Sequence, residues 1–118
     1  MIAQITPVFA IELGGWDENE GYYTNSFQLR AQSSPIHTGK AEETVINGTS
    51  AKRAVGQTTW TGVYHYTRAR MEDIVLGINF GVLTDSGRVW GTSNTSATSP
   101  WWLFNGDTMG SARTYYGN

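Results

Sequence analysis

Apolar and polar residues alternate along much of this chain. In Tyr22 to Gln32, Tyr23, Asn25, Phe27, Leu29 and Ala31 fall on one side, and Tyr22, Thr24, Ser26, Gln28 and Arg30 on the other. Thr58 to Met71 is the longest such run. Trp60, Gly62, Tyr64, Tyr66, Arg68 and Arg70 share one side of it, and Thr59, Thr61, Val63, His65, Thr67, Ala69 and Met71 the other. Ile74 to Leu83 continues with Ile74, Leu76, Ile78, Phe80 and Val82 in strict alternation. A period of two predicts half-buried strands, and the β-branched and aromatic content points the same way. Gly77 and Gly81 lie on the opposite side of the last run, where a bulge or a close backbone approach is expected.

Shorter elements fill the gaps. Glu43 to Ile46 reads as a short strand closed by Asn47-Gly48, the strongest hairpin signal in the chain. Arg88-Val89-Trp90 opens a strand after the turn Asp85-Ser86-Gly87, and Ala112 to Tyr116 forms the closing strand. Trp101-Trp102-Leu103-Phe104 is an aromatic run ending at the turn Asn105-Gly106-Asp107. Ser33-Ser34-Pro35 and His37 to Lys40 read as turn material, Trp16 to Gly21 as an acidic turn, and Thr92 to Ser99 as a polar loop or hairpin arm. Ile2 to Leu13 is apolar but contains Pro7, which cannot donate to a central ladder. Residues 1–15 are therefore expected to be an extended arm or an edge strand, broken by Gly14-Gly15. No segment shows a helical period with caps. The expectation is an all-β chain, a small antiparallel β-sandwich or barrel of seven or eight short strands, as one domain over residues 1–118.

Composition narrows the function classes. Charged residues are 15%, against roughly a quarter in an average protein, and aromatic residues are 13%. There is no Cys, which excludes disulfides, zinc–thiolate sites and cysteine catalysis. Eight Lys and Arg with a net charge of −2 argue against a nucleic-acid partner. No apolar run approaches about 18 residues, so no transmembrane helix is expected. Scarce Lys and abundant Ser, Thr, Gly and Asn suit a secreted protein, with a cytoplasmic one as the alternative. Met1-Ile2-Ala3-Gln4 lacks the charged and apolar regions of a signal peptide, so on the exported reading the signal has been removed.

The motifs of metal-dependent, nucleotide-binding and serine enzymes are missing, and neither His37 nor His65 has a metal-ligand spacing. Neither cofactor nor metal is expected. Glu42-Glu43 alternate faces and do not form a glycosidase pair. His65 with Arg68 or Arg70 and Glu72 matches the residue types of small ribonuclease toxins, but His65 and Arg68 point to opposite sides of a regular strand. A non-enzyme is the expectation. The candidate binding residues are aromatic and basic: Trp101 and Trp102, with Trp60, Tyr64, Arg68 and Arg70 as the second choice. Exposed Trp and Tyr make stacking platforms for a sugar or anchors for a protein partner. Arg68 and Arg70 share a side, and form either an anion-binding strip or a solvated face paired with neighbouring carboxylates.

Several of these segments follow a family order. Gly14-Gly15-Trp16, Tyr22-Tyr23, His37 to Val45, Arg53, Gly62-Val63-Tyr64 through Ala69, and Ala112 to Tyr116 resemble, over about half the chain, the lactococcin 972-type bacteriocins. The resemblance implies a small exported β-sandwich acting on a cell-envelope target, in the type member a cell-wall precursor. The chain departs from that pattern by inserting Asp73 to Gly110 before the Tyr pair. Thr58 to Tyr64 also resembles a strand of the avidin family, whose barrel places Trp around biotin. That family's N-terminal ligand contacts are missing, so the match reads as convergent strand chemistry. The function expected is an exported, non-enzymatic interaction protein, as a bacteriocin or toxin component that binds a partner protein or a cell-envelope ligand. The alternatives are a small lectin-like carbohydrate binder and a small ribonuclease-type toxin.

Overall fold

The computed structural model describes residues 10–25, 33–104 and 108–118. They form ten strands and no helix: β1 (Glu12–Asp17), β2 (Gly21–Thr24), β3 (Ile36–Ile46), β4 (Thr49–Thr59), β5 (His65–Val75), β6 (Ile78–Asp85), β7 (Val89–Gly91), β8 (Asn94–Thr98), β9 (Trp102–Leu103) and β10 (Ser111–Gly117). All pairings are antiparallel. One sheet runs β2-β1-β10-β5-β6, with β7 beside the first half of β5. The other runs β3-β4-β8, with β9 beside the start of β4. The two sheets form a β-sandwich, and neither closes into a barrel.

Small residues line the interior of the sandwich. Ala54, Ala69, Ala97 and Ala112 surround the fully buried Met71, and Trp16, Leu83 and Trp102 pack at the margin. A methyl group on Gly56 would lie 2.9 Å from Thr114 Cβ in the opposite sheet, so the approach there depends on glycine. A second cluster gathers Leu13, Trp60 and Tyr116, with Ile11 and Val63 against it.

Between the two clusters runs a buried polar seam. Thr67 Oγ1 donates to Thr58 Oγ1 at 2.7 Å and lies 2.6 Å from Thr95 Oγ1. His37 joins it, with Nδ1 2.9 Å from Thr58 Oγ1 and Nε2 2.7 Å from Thr114 Oγ1. Hydroxyls both donate and accept, so the seam satisfies its members without water.

The structure corrects several local expectations. His37 to Lys40 is not a turn but lies in the first half of β3, which pairs with β4 without a break from Ile36↔Thr59 to Ile46↔Thr49. Gly14-Gly15 does not end a strand. It lies within β1, which is flanked by β2 and β10; residues 1–9, with Pro7, lie outside the described residues. The run Thr58–Met71 breaks at Trp60–Tyr64, where Gly62 has φ +80° and the Gly62 N–H donates to Thr92 O. The run Ile74–Leu83 folds back at Leu76-Gly77. The segment Ser26 to Gln32 and the turn Asn105-Gly106-Asp107 lie outside the described residues. The described residues hold ten strands against the seven or eight expected, in part because β4 takes in Thr49 to Gln57, which shows no strand signal in the sequence, and because the run Ile74–Leu83 contains a turn that leaves its alternation intact.

Candidate functional site

Alternation on β5 and β10 decides which side chains leave the core. Ala112, Thr114 and Tyr116 of β10 point inward, as do His65, Thr67, Ala69 and Met71 of β5. Arg113 and Tyr115, and Tyr66, Arg68 and Arg70, therefore share the outer face of the larger sheet. Register then aligns Asp17, Arg113, Arg70 and Asp85 in one row across β1, β10, β5 and β6.

The middle of this face is a closed lattice of charge. Asp85 receives Arg68 through Nε at 2.9 Å and Arg70 through Nε at 3.1 Å. The Arg68 hydrogen bond holds the Asp85 carboxyl well below the usual carboxylate range. Glu72, 1% exposed, accepts from Tyr115 Oη, from Asn79 Nδ2 and from Arg113 Nη1 at 3.4 Å. Arg113 Nε lies 3.0 Å from Asp17 Oδ2, an ion pair without hydrogen-bond alignment. Burial, then the Glu72 hydrogen bond, raises the Tyr115 phenol far above its ordinary range; burial does the same for Tyr23. Three guanidiniums thus oppose three carboxylates, and both phenols stay protonated. Arg68 and Arg70 are paired with a carboxylate and do not form a free anion strip.

The end of the face near the Trp60–Tyr64 turn is different. Tyr64, 60% exposed, stacks on Trp90 with ring centroids 4.8 Å apart and planes 15° from parallel. Trp90 tilts against Tyr66 at 5.1 Å, and the exposed Arg88 places its guanidinium 5.2 Å from the Tyr66 ring. Tyr66↔Trp90 pairing between β5 and β7 sets this row. Tyr64 is the exposed ring of this cluster, Trp90 is half-buried beneath it, and Tyr66 is buried with the Arg88 cation over it.

The remaining expected residues scatter. Trp60 is 2% exposed in the core, its indole N–H donating to Ser33 O and Oγ. Trp101 lies under the Arg53 guanidinium at 4.2 Å, and Trp102 packs on the alanine cluster with its indole N–H donating to Thr108 O at 3.3 Å. Trp102 also lines a cleft of about 330 Å³ with Val45, Phe104 and Met109. His65 is fully buried, its ring nitrogens 2.7 and 3.2 Å from the Val63 and Thr58 carbonyls, so it offers no nitrogen to a substrate. Trp90 and Arg88 escaped sequence reasoning because β7 is three residues long and its partner is fixed only by the fold. Glu72 stood out in the sequence only beside His65 and Arg68; its partner Tyr115 did not, because the two lie 43 residues apart. Among the described residues, no helix is long and apolar enough to cross a membrane, and no cluster of His, Asp and Glu has metal-binding geometry. No family model, curated protein or solved structure matches the chain.

Proposed function

We propose that this protein is a secreted binding module that holds a saccharide of the cell envelope on the Tyr64–Trp90 platform without turning it over. The observation that carries the reading is the exposed Tyr64 ring, held nearly parallel on the half-buried Trp90, with Arg88 over the neighbouring Tyr66. A pyranose presents a flat C–H face that suits the electron-rich face of an aromatic ring, and its hydroxyls or acidic substituents suit a guanidinium. A wall-directed role as a bacteriocin or toxin component, which the lactococcin 972 resemblance implies, fits such a ligand. The closed charge lattice and the enclosed His65 offer no free base or nucleophile, which supports binding over catalysis.

The test is a titration of intrinsic Trp fluorescence with soluble peptidoglycan fragments, run beside a glycan array. Tyr64→Ala is expected to weaken binding by about thirtyfold, the size of a hot-spot loss of about 2 kcal/mol. It should leave thermal stability nearly unchanged, since surface truncations usually stay within about 0.5 kcal/mol. Equal affinity in wild type and Tyr64→Ala, or no glycan bound, overturns the reading. The cleft at Trp102 favours a second reading, a protein partner seating an apolar side chain beside Met109, 59% exposed. On that reading Met109→Glu, and not Tyr64→Ala, abolishes capture of the partner.

A further inference from the structure

The two long hairpins end in the same turn. β3 and β4 close through Asn47 (φ 49°) and Gly48 (φ 78°) between the paired Ile46 and Thr49. β5 and β6 close through Leu76 (φ 52°) and Gly77 (φ 80°) between the paired Val75 and Ile78. Two consecutive positive φ values define the tight hairpin turn whose preferred sequence is Asn-Gly. The first hairpin has that sequence. The second puts leucine in the left-handed region, where its Cβ crowds the following carbonyl. That leucine is also 97% exposed. Asn suits this backbone better, and the same chain uses it 29 positions earlier. A residue that breaks both the backbone rule and the burial rule points to a role outside the fold.

Its surroundings define what it meets. Val75, Ile78, Phe80 and Val82 are 46%, 59%, 65% and 48% exposed, and no charged residue occurs from Ile74 to Thr84. The two polar side chains of that stretch with hydrogen-bonding groups are spent internally. Asn79 Nδ2 donates to Glu72, Asn79 Oδ1 accepts from the Gly81 N–H at 2.9 Å, and Thr84 Oγ1 donates to Pro100 O at 2.8 Å. A protein interface fixes its orientation with polar contacts, and no side chain here offers one. Hydrocarbon asks for none. The nearest carboxylates on the strand, Asp73 and Glu72, sit three and four residues back from Leu76, about 10 Å or more at 3.3 Å per residue. Asp17, Glu18 and Glu20 line the adjoining cleft together with Lys52 and Arg113, so that with Glu72 and Asp73 five carboxylates stand against two cations behind the tip. Apolar anchors enter the headgroup–acyl boundary by about 5–10 Å, so this depth would stop at the carboxylates.

We propose that the β5–β6 hairpin tip is a wedge that docks on an electrically neutral phospholipid bilayer, with Leu76 entering first. The carboxylates behind it make anionic headgroups unfavourable. The inference does not rest on the saccharide reading, because the Tyr64 platform and this tip lie at opposite ends of β5.

The test is flotation of the full chain with vesicles of phosphatidylcholine, and with the same vesicles carrying phosphatidylglycerol. Wild type is expected to co-float with phosphatidylcholine and less with the anionic mixture. Leu76→Asn is expected to raise Tm by about 3–6 °C, by relieving the left-handed leucine in a domain of this size, while lowering vesicle partitioning tenfold or more. Tyr64→Ala should float as wild type does, so the two proposals fail separately. The proposal is overturned if wild type does not float, if Leu76→Asn floats equally, or if anionic lipid strengthens binding. A fall in Tm for Leu76→Asn removes its premise and overturns it too. A wild-type dimer in sedimentation that Leu76→Asn converts to monomer, with no flotation by either, assigns the tip to a second copy instead.

Discussion

His37 shows what one residue contributes when both ring nitrogens rest on threonine hydroxyls inside the sandwich. Burial disfavours its charged form and lowers its pKa from 6.5 to about 4. The unfolded chain therefore takes up a proton near pH 6.5 that the folded chain refuses until about pH 4. Through that window the unfolded state binds more protons, so stability falls as pH falls. The full shift corresponds to about 3 kcal/mol. Urea unfolding at pH 7, 5.5 and 4 should show a progressive loss of that order, and His37→Gln should flatten it. Asp85 acts in a lower window. Its carboxyl is depressed by Arg68, so its contribution is present above the ordinary carboxylate range and disappears as pH falls below it. The effects separate on the pH axis: loss between pH 7 and 4 belongs to His37, and further loss in stronger acid to the Arg68–Asp85–Arg70 group and to Glu42, whose carboxyl is lowered by hydrogen bonds from Arg53 and Lys40.

At the scale of elements, alternation reported faces well and turns poorly. It put Tyr66, Arg68 and Arg70 opposite His65, Thr67, Ala69 and Met71, and the structure keeps that division. It did not show the turn at Leu76-Gly77, because a leucine in a turn leaves the apolar period intact. Asn47-Gly48 was legible for the opposite reason, since its residue types are those the turn demands. The partners that define the outer face, Asp85 for Arg68 and Trp90 for Tyr64, depend on strand register, which composition and period do not encode. Gly14-Gly15 was misread because glycine signals both chain breaks and close approach. The structure selects the second meaning at Gly15, where an added Cβ would fall 2.0 Å from the Thr114 carbonyl oxygen. That atom belongs to the paired strand and cannot move aside. Gly15→Ala is therefore expected to cost about 3 kcal/mol or more, at the upper end of overpacking effects. Urea-unfolding midpoints measured against wild type check it, and a change below about 0.5 kcal/mol, the range of an inert surface site, contradicts it.

The whole molecule turns on its last strand. β10 sits between β1 and β5, so strands from the two ends of the described chain are neighbours in the larger sheet. Its inward residues join both apolar clusters through Ala112 and Tyr116, and Thr114 closes the polar seam on His37. Its outward residues, Arg113 and Tyr115, tie Glu72 into the charge lattice. Without β10 the β1–β2 hairpin has no backbone pairing to the rest of the sheet, and an isolated two-stranded hairpin is at best marginally stable in water. Such distant pairing also belongs to slow-folding topologies, because long loops must close before the contacts repay them. A chain ending at Gly110 is thus expected to lack cooperative thermal unfolding and near-UV ellipticity. A peptide spanning Ser111 to Asn118, added in excess, should restore both by inserting as the missing strand between β1 and β5. Calorimetry of the shortened chain with and without the peptide is the measurement. A cooperative transition in the shortened chain alone would show that the two apolar clusters and the smaller sheet hold together without β10, contrary to its central place in the sheet order.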